Sequence, residues 1–150
     1  MIHEHVEADR LYIPALSAIY ARLAPLSMLV IRLGIAGTLF THGWAKVVDG
    51  RLPVETMAKL GLPAPYAFAV FIAGLEFFGP ILLALGLFTR LVGVMIFVEM
   101  MVISFGVLYP TYNWGDKGYE FTLMMGLFAL GLAMSGGGRY SLDKKLSKEF

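Results

Sequence analysis

Residues 64–109 read APYAFAVFIAGLEFFGPILLALGLFTRLVGVMIFVEMMVISFGVLY. Two apolar runs, 64–87 and 91–109, are separated by Phe88-Thr89-Arg90 alone. Crossing the roughly 30 Å hydrocarbon core of a bilayer takes about 20 residues of helix, and each run comes close to that length. So short a connection makes the two helices antiparallel neighbours in a tight hairpin. Outward from this hairpin lie two further apolar runs, 26–48 and 119–135. Pro53, Gly61, Pro63 and Pro65 break the chain before the hairpin, Pro110, Asn113, Gly115 and Gly118 break it afterwards, and Gly136-Gly137-Gly138 ends the last run. The expected fold is an all-α membrane protein: a four-helix transmembrane bundle over 26–135, preceded by an interfacial segment at 1–25 and followed by a polar tail at 136–150.

Composition agrees with that reading. Of 150 residues, 58% are hydrophobic and 15% charged, and the mean hydropathy is +0.73. Soluble domains hold about 45–50% apolar and about 25% charged residues, so a soluble enzyme is not expected. The chain has no cysteine, which excludes disulfides, thiolate zinc sites and iron–sulfur clusters. A net charge of +1, with no basic stripe interleaved with aromatics, argues against nucleic acid as a partner.

The first 25 residues carry Glu4, Glu7, Asp9 and Arg10 where a cleaved signal would need a basic start and an apolar run. Tyr12, Leu16, Ile19, Tyr20 and Leu23 recur at helical spacing. They suit an amphipathic helix lying in the headgroup region, or packed on a partner, before Pro25 turns the chain inward. An even number of crossings puts both ends on one side, which carries Arg10, Arg22, Arg90, Arg139, Lys144, Lys145 and Lys148, against Lys46, Arg51, Lys59 and Lys117 opposite. The excess places both termini in the cytoplasm.

Ionisable groups inside a bilayer cost about 2.5–3.5 kcal/mol each on insertion scales, so each calls for a partner or a role. Arg32, Glu76 and Glu99 lie roughly 9, 16 and 12 Å from the cytoplasmic ends of their helices at 1.5 Å per residue. An Arg32–Glu76–Glu99 cluster is expected, either as interhelical register pairs or as a site in which one carboxyl, left without a full counter-charge, exchanges a proton. Near the opposite surface, His42 and Lys46 lie one turn apart, with Glu120, Tyr119 and Tyr109 on the same side. Lys46 is placed to snorkel to headgroups, whereas His42 needs a hydrogen-bond partner or a ligand. Haem would need a second intramembrane histidine, and His3 and His5 sit in the polar N-terminal segment, so neither haem nor a metal site is expected.

Several of these residues occur in a recognisable order. Arg32-Leu33-Gly34, His42-Gly43-x-x-Lys46, Gly61-Leu62-Pro63, Glu76 followed by Gly79, Gly86-Leu87-x-Thr89-Arg90, and Gly138-Arg139-Tyr140-Ser141-Leu142-Asp143 together resemble the DoxX family over residues 26–143. The resemblance implies a four-helix protein of a bacterial-type inner (plasma) membrane. The family is named for a small subunit of a thiosulfate:quinone oxidoreductase, and other members are linked to detoxifying quinones, catechols or oxidants, often beside a soluble redox enzyme. It also implies that Arg32, His42, Lys46, Glu76 and Arg90 occupy the family's polar motif positions.

Three functions follow as expectations. The first is an integral subunit of a quinone- or quinol-linked oxidoreductase system, in sulfur-compound oxidation or quinone detoxification, with a partner redox subunit or soluble oxidoreductase supplying electrons. His42 and Glu76 would handle the proton, within a ligand-binding set of Arg32, His42, Lys46, Glu76, Arg90, Glu99 and Glu120. The second is a non-catalytic membrane anchor that recruits a soluble redox enzyme through a terminus. The third is a small transporter or proton pathway, which needs a homo-oligomer because one four-helix chain is thin for a transport path.

Overall fold

The computed structural model describes residues 11–147; His3, Glu4, His5, Glu7, Asp9, Arg10 and Lys148, used above, lie outside them. Among the described residues every regular element is helical: α1 (Ser17–Leu23), α2 (Ser27–Val47), α3 (Val54–Lys59), α4 (Pro65–Leu85), α5 (Thr89–Val102), α6 (Glu120–Ser135) and α7 (Leu142–Leu146), with short 3₁₀ and π turns between them.

Pro25 does not redirect the chain. It sits at the start of a 3₁₀ turn, Ala24–Leu26, where its missing N–H costs least, and Ser27 resumes helical dihedrals (φ −54°, ψ −50°). Pro14–Val47 is therefore one helical run of 34 residues, about 51 Å long and well beyond a bilayer core. Ile19, Tyr20 and Leu23 are exposed along its first half, as is Tyr12 just before it, and Leu16 is half-buried, so most of this apolar spacing is left uncovered among the described residues.

Among the described residues, three helical runs are long and apolar enough to cross a membrane: Pro14–Val47, Pro65–Leu85 and Thr89–Leu108. The third extends α5 through a π-helical stretch, Ile103–Leu108, where Ser104 Oγ meets Thr122 Oγ1 of α6 at 2.7 Å. α6 has 16 residues, about 24 Å, and falls short of the full hydrocarbon core.

α2 lies along α4, and α5 lies along α6. Ile35, Leu39, Leu83, Ile96, Ala129 and Leu132 bury the seam between these two layers. The expected hairpin is present: α4 ends in a left-handed Gly86 (φ +67°), with Leu87 N–H bonded to Leu82 O at 2.9 Å, and α5 starts at Thr89. Yet α4 and α5 touch each other less than either touches its layer partner, and they part beyond the turn.

Candidate functional site

The register of α2 against α4 is set by two close approaches. Pro80 inside α4 has no N–H, which releases the carbonyl of Glu76 four residues earlier. That carbonyl lies against Gly43 of α2, where any Cβ would collide with it. At the other end, the Arg32 guanidinium occupies the space that a side chain at Gly86 would need. The two contacts are about 15 Å apart along antiparallel helices. On this register α2 stops beside Ile72, leaving about 10 Å of α4 uncovered. The short helix α3 packs there, with Met57 buried beneath it.

One turn beyond Gly43, Lys46 reaches Glu76. Its ammonium forms an ion pair with Oε1, the lysine side chain 19% exposed and the carboxyl 2%. Glu76 and Glu99 lie nine and ten residues from their respective ends of the α4–α5 turn, so the hairpin brings them level, and Glu99 stands beside Glu76 and near Lys46. Glu99 is 4% exposed. Three carboxyl oxygens, Glu76 Oε2 and both of Glu99, are buried with no hydrogen-bond partner among the described residues. One ammonium thus serves two carboxyls.

The cluster differs from the expected one in its cation. Arg32 is not with Glu76 and Glu99, because helix ends are not flush and depth counted from each end misplaces α2. Lys46, expected to snorkel away, supplies the charge instead.

A cavity of 510 Å³ opens where α4 and α5 part, roofed by α3. Its wall is apolar, with Phe71, Leu75, Met95 and Val98 prominent, and Lys46 and Glu99 are the charged groups on its lining. Phe71 and Val98 are about half exposed and border its mouth on the outer side of the two helices. Glu76 is not on the lining; it stands behind Lys46. Of the Met and aromatic residues near these helices, Met95 lines the cavity, whereas Trp44 and Phe77 stack with Phe40 outside it.

The remaining sequence-selected residues lie elsewhere. His42 is on the exposed face of α2 and off the cavity lining. Glu120 is exposed at the start of α6, and its Oε2 accepts a bond from Trp114 N–H at 3.2 Å. Arg90 donates from Nη1 to the carbonyls of Ala133 (3.0 Å) and Met134 (2.6 Å), satisfying the last turn of α6.

Arg32 belongs to a second buried polar group at the α4–α5 turn. Its Nη2 donates to Tyr140 O at 2.5 Å. Asp143 accepts from the N–H groups of Phe88 (2.8 Å) and Thr89 (2.9 Å), and its own N–H donates to Gly86 O at 2.9 Å. The segment after Gly136-Gly137-Gly138 therefore folds back over the turn and caps the start of α5.

Thr56 and Met57, which help close the cavity, carried no legible signal, because a six-residue helix in a connecting loop has no periodicity to read. Pro80 four residues after Glu76 was a usable signal for an exposed carbonyl at the carboxyl's own position.

Residues 27–108 match the DoxX family model. The match includes Arg32, Gly43, Lys46, Glu76 and Glu99 and stops before the tail that clasps the turn. The chain is also 31% identical over 134 residues to an uncharacterized protein of Haemophilus influenzae, an alignment spanning 83% of this chain and 94% of the other. No solved structure matches.

Proposed function

The chain belongs to the DoxX family, and from that premise we propose that it is the integral membrane component of a quinone- or quinol-linked oxidoreductase system, with the redox ring held in the cavity between α3, α4 and α5. The observation that carries this reading is the cavity itself: an apolar volume of 510 Å³ that ends on a lysine and a buried carboxyl with unmatched oxygens. A flat ring with an apolar tail fits such a wall, and its oxygens fit such an end. In helices embedded in a bilayer, the exposed Phe71 and Val98 face lipid, so the mouth admits a bilayer-dissolved ligand without passage through water.

When bound, a quinone supplies two-electron chemistry coupled to proton uptake. The chain's own residues have separable tasks. Lys46 holds a ring oxygen through its ammonium. Glu99 holds or releases a proton at the cavity wall. Glu76 orients Lys46 through the ion pair and is a positioning residue. Phe71, Leu75 and Val98 keep water away from these groups. His42, on the outer face of α2, has no part in this proton path. With no cysteine in the chain, electrons come through a partner redox subunit or soluble oxidoreductase. The basic residues Arg22, Arg90, Arg139, Lys144 and Lys145 gathered at the Arg32 end support an orientation with that end at the cytoplasmic face of a bacterial-type inner membrane.

The test is purification in mild detergent, followed by mass spectrometry of the lipids and proteins that accompany the chain. A stoichiometric quinone that disappears in Lys46→Ala supports the site. A soluble redox protein recovered with no quinone would replace it with the anchoring role.

A further inference from the structure

The two ends of the bundle carry their charge differently. Near α3, cations have carboxylates beside them: Arg51 lies 3.9 Å from Asp49, and Lys59 lies 2.8 Å from Glu55. At the α4–α5 turn the returning tail presents Arg139 and Lys145, both exposed. Among the described residues the carboxylate at that end is Asp143, which is 4% exposed and spent on the N–H groups of Phe88 and Thr89. It leaves nothing acidic to face the two cations. The Arg139 guanidinium stands 6.0 Å from the ring of its neighbour Tyr140, which brings no charge to it.

The tail is also held at a fixed depth. Gly138 packs on Met28 of α2, Tyr140 O takes a bond from Arg32, and Asp143 caps the first turn of α5. The segment therefore crosses α2 and reaches the turn at the level where α4 ends and α5 begins. Helices leave the hydrocarbon for the headgroup region at such a level. There Tyr140 and Leu146 are 52% and 60% exposed, interleaved in the chain with the cations. At a membrane surface this mixture sorts itself, with tyrosine at headgroup depth, leucine among acyl chains, and lysine and arginine extended to the phosphates. A soluble protein would have to reach in among the headgroups to cover the same residues.

We infer that the tail, residues 138–146, is a docking surface for anionic phospholipid headgroups, with Arg139 and Lys145 on the phosphates and Tyr140 and Leu146 against the adjoining acyl chains. A zwitterionic headgroup carries its own cation and meets this surface less well than an anionic one. The inference is independent of what the cavity binds.

The experiment supplies the intact chain in mild detergent with equal amounts of phosphatidylglycerol and phosphatidylcholine of identical acyl chains, and native mass spectrometry counts the lipid retained. Phosphatidylglycerol should be favoured at least about fivefold, the effect of one cation near an anionic headgroup, and the preference should shrink as salt is raised. Arg139→Gln/Lys145→Gln should bring the ratio close to one with the melting temperature unchanged, since both side chains are exposed. Each single substitution should remove part of the preference, so the test survives a double variant that fails to fold. Arg51→Gln/Lys59→Gln, which removes two cations from the opposite end, should leave the ratio as it was. Equal retention of the two lipids by the unaltered chain would overturn the inference, as would a preference that persists in Arg139→Gln/Lys145→Gln. A soluble polyglutamate peptide that displaces phosphatidylglycerol at lower concentration would overturn it in favour of an acidic protein partner.

Discussion

Two buried polar groups sit on the same helix pair about 15 Å apart, and they differ in what surrounds them. At the α4–α5 turn, Asp143 bonds the backbone of Phe88, Thr89 and Gly86, while Arg32 reaches the backbone of Tyr140. At the other level, Lys46, Glu76 and Glu99 have side chains alone to offer one another. Both groups keep unmatched atoms, Arg32 Nε and Nη1 in the first and three carboxyl oxygens in the second. The first, however, is closed in by Gly86 and the returning tail, whereas the second adjoins a cavity. A polar group tied to backbone fixes where helices sit. One tied to side chains beside open volume is available to a ligand.

The largest effect that would break this comparison is at Gly43. Gly43→Ala sets a methyl group against the Glu76 backbone, which has no rotamer by which to move aside. The register of α2 and α4 should fail, and the protein should be lost from the monodisperse peak in size-exclusion chromatography. Asp143→Ala comes next. It strands the buried N–H of Thr89 and the partly buried N–H of Phe88 at the start of α5, and the cost should be about 3 kcal/mol in a thermal or denaturant melt, from hydrogen bonds to a charged acceptor. Ligand affinity should change far less than stability. If both fall together, the turn and the cavity act as one unit.

Lys46→Met leaves two carboxyls with no cation and should destabilise by about 2 kcal/mol, below the usual cost of breaking a buried pair because the lysine keeps partial exposure. The double variant Lys46→Met/Glu76→Gln should recover part of that loss, a coupling that a double-mutant melt series reads directly. Glu99→Gln should move the melting temperature little while weakening binding of the ring ligand several-fold, since the amide cannot hold or release a proton. A large stability loss with unchanged binding would make Glu99 a structural residue.

The smallest effect lies outside the membrane-spanning helices. Lys59 hydrogen-bonds Glu55 at 2.8 Å and holds its carboxyl below the ordinary range, chiefly through that bond and then through its charge. A carboxyl lowered in the folded state adds stability that is present above its unfolded value and lost as pH falls through the folded one. For so exposed a pair the loss should be barely measurable, and Glu55→Gln should leave the melt at neutral pH unmoved.

Much of the architecture was legible because hydropathy and chain breakers act locally. The hairpin followed from two apolar runs and a three-residue gap, and Glu76 and Glu99 fell level because both are counted from that one turn. Pro25 was misread because its effect depends on where it falls in a helix: in the first turn of a 3₁₀ segment it leaves the helix running. The fourth helix's shortness was visible in the length of its apolar run.

By itself, then, the sequence determined an all-helical membrane protein, the positions of its long helices, and a pair of carboxyls that must meet. The tertiary structure decided which cation joins them and where a cavity opens. The reason is register. The axial offset between helices distant in the chain is set by backbone approaches such as Gly43 on Glu76, by the guanidinium of Arg32 lodged at Gly86, and by a tail returning from Tyr140 to Asp143. Those contacts belong to no single helix. Counting from helix ends put Arg32 with the carboxyls; packing put Lys46 there, and left above it the uncovered stretch of α4 that α3 roofs into a cavity.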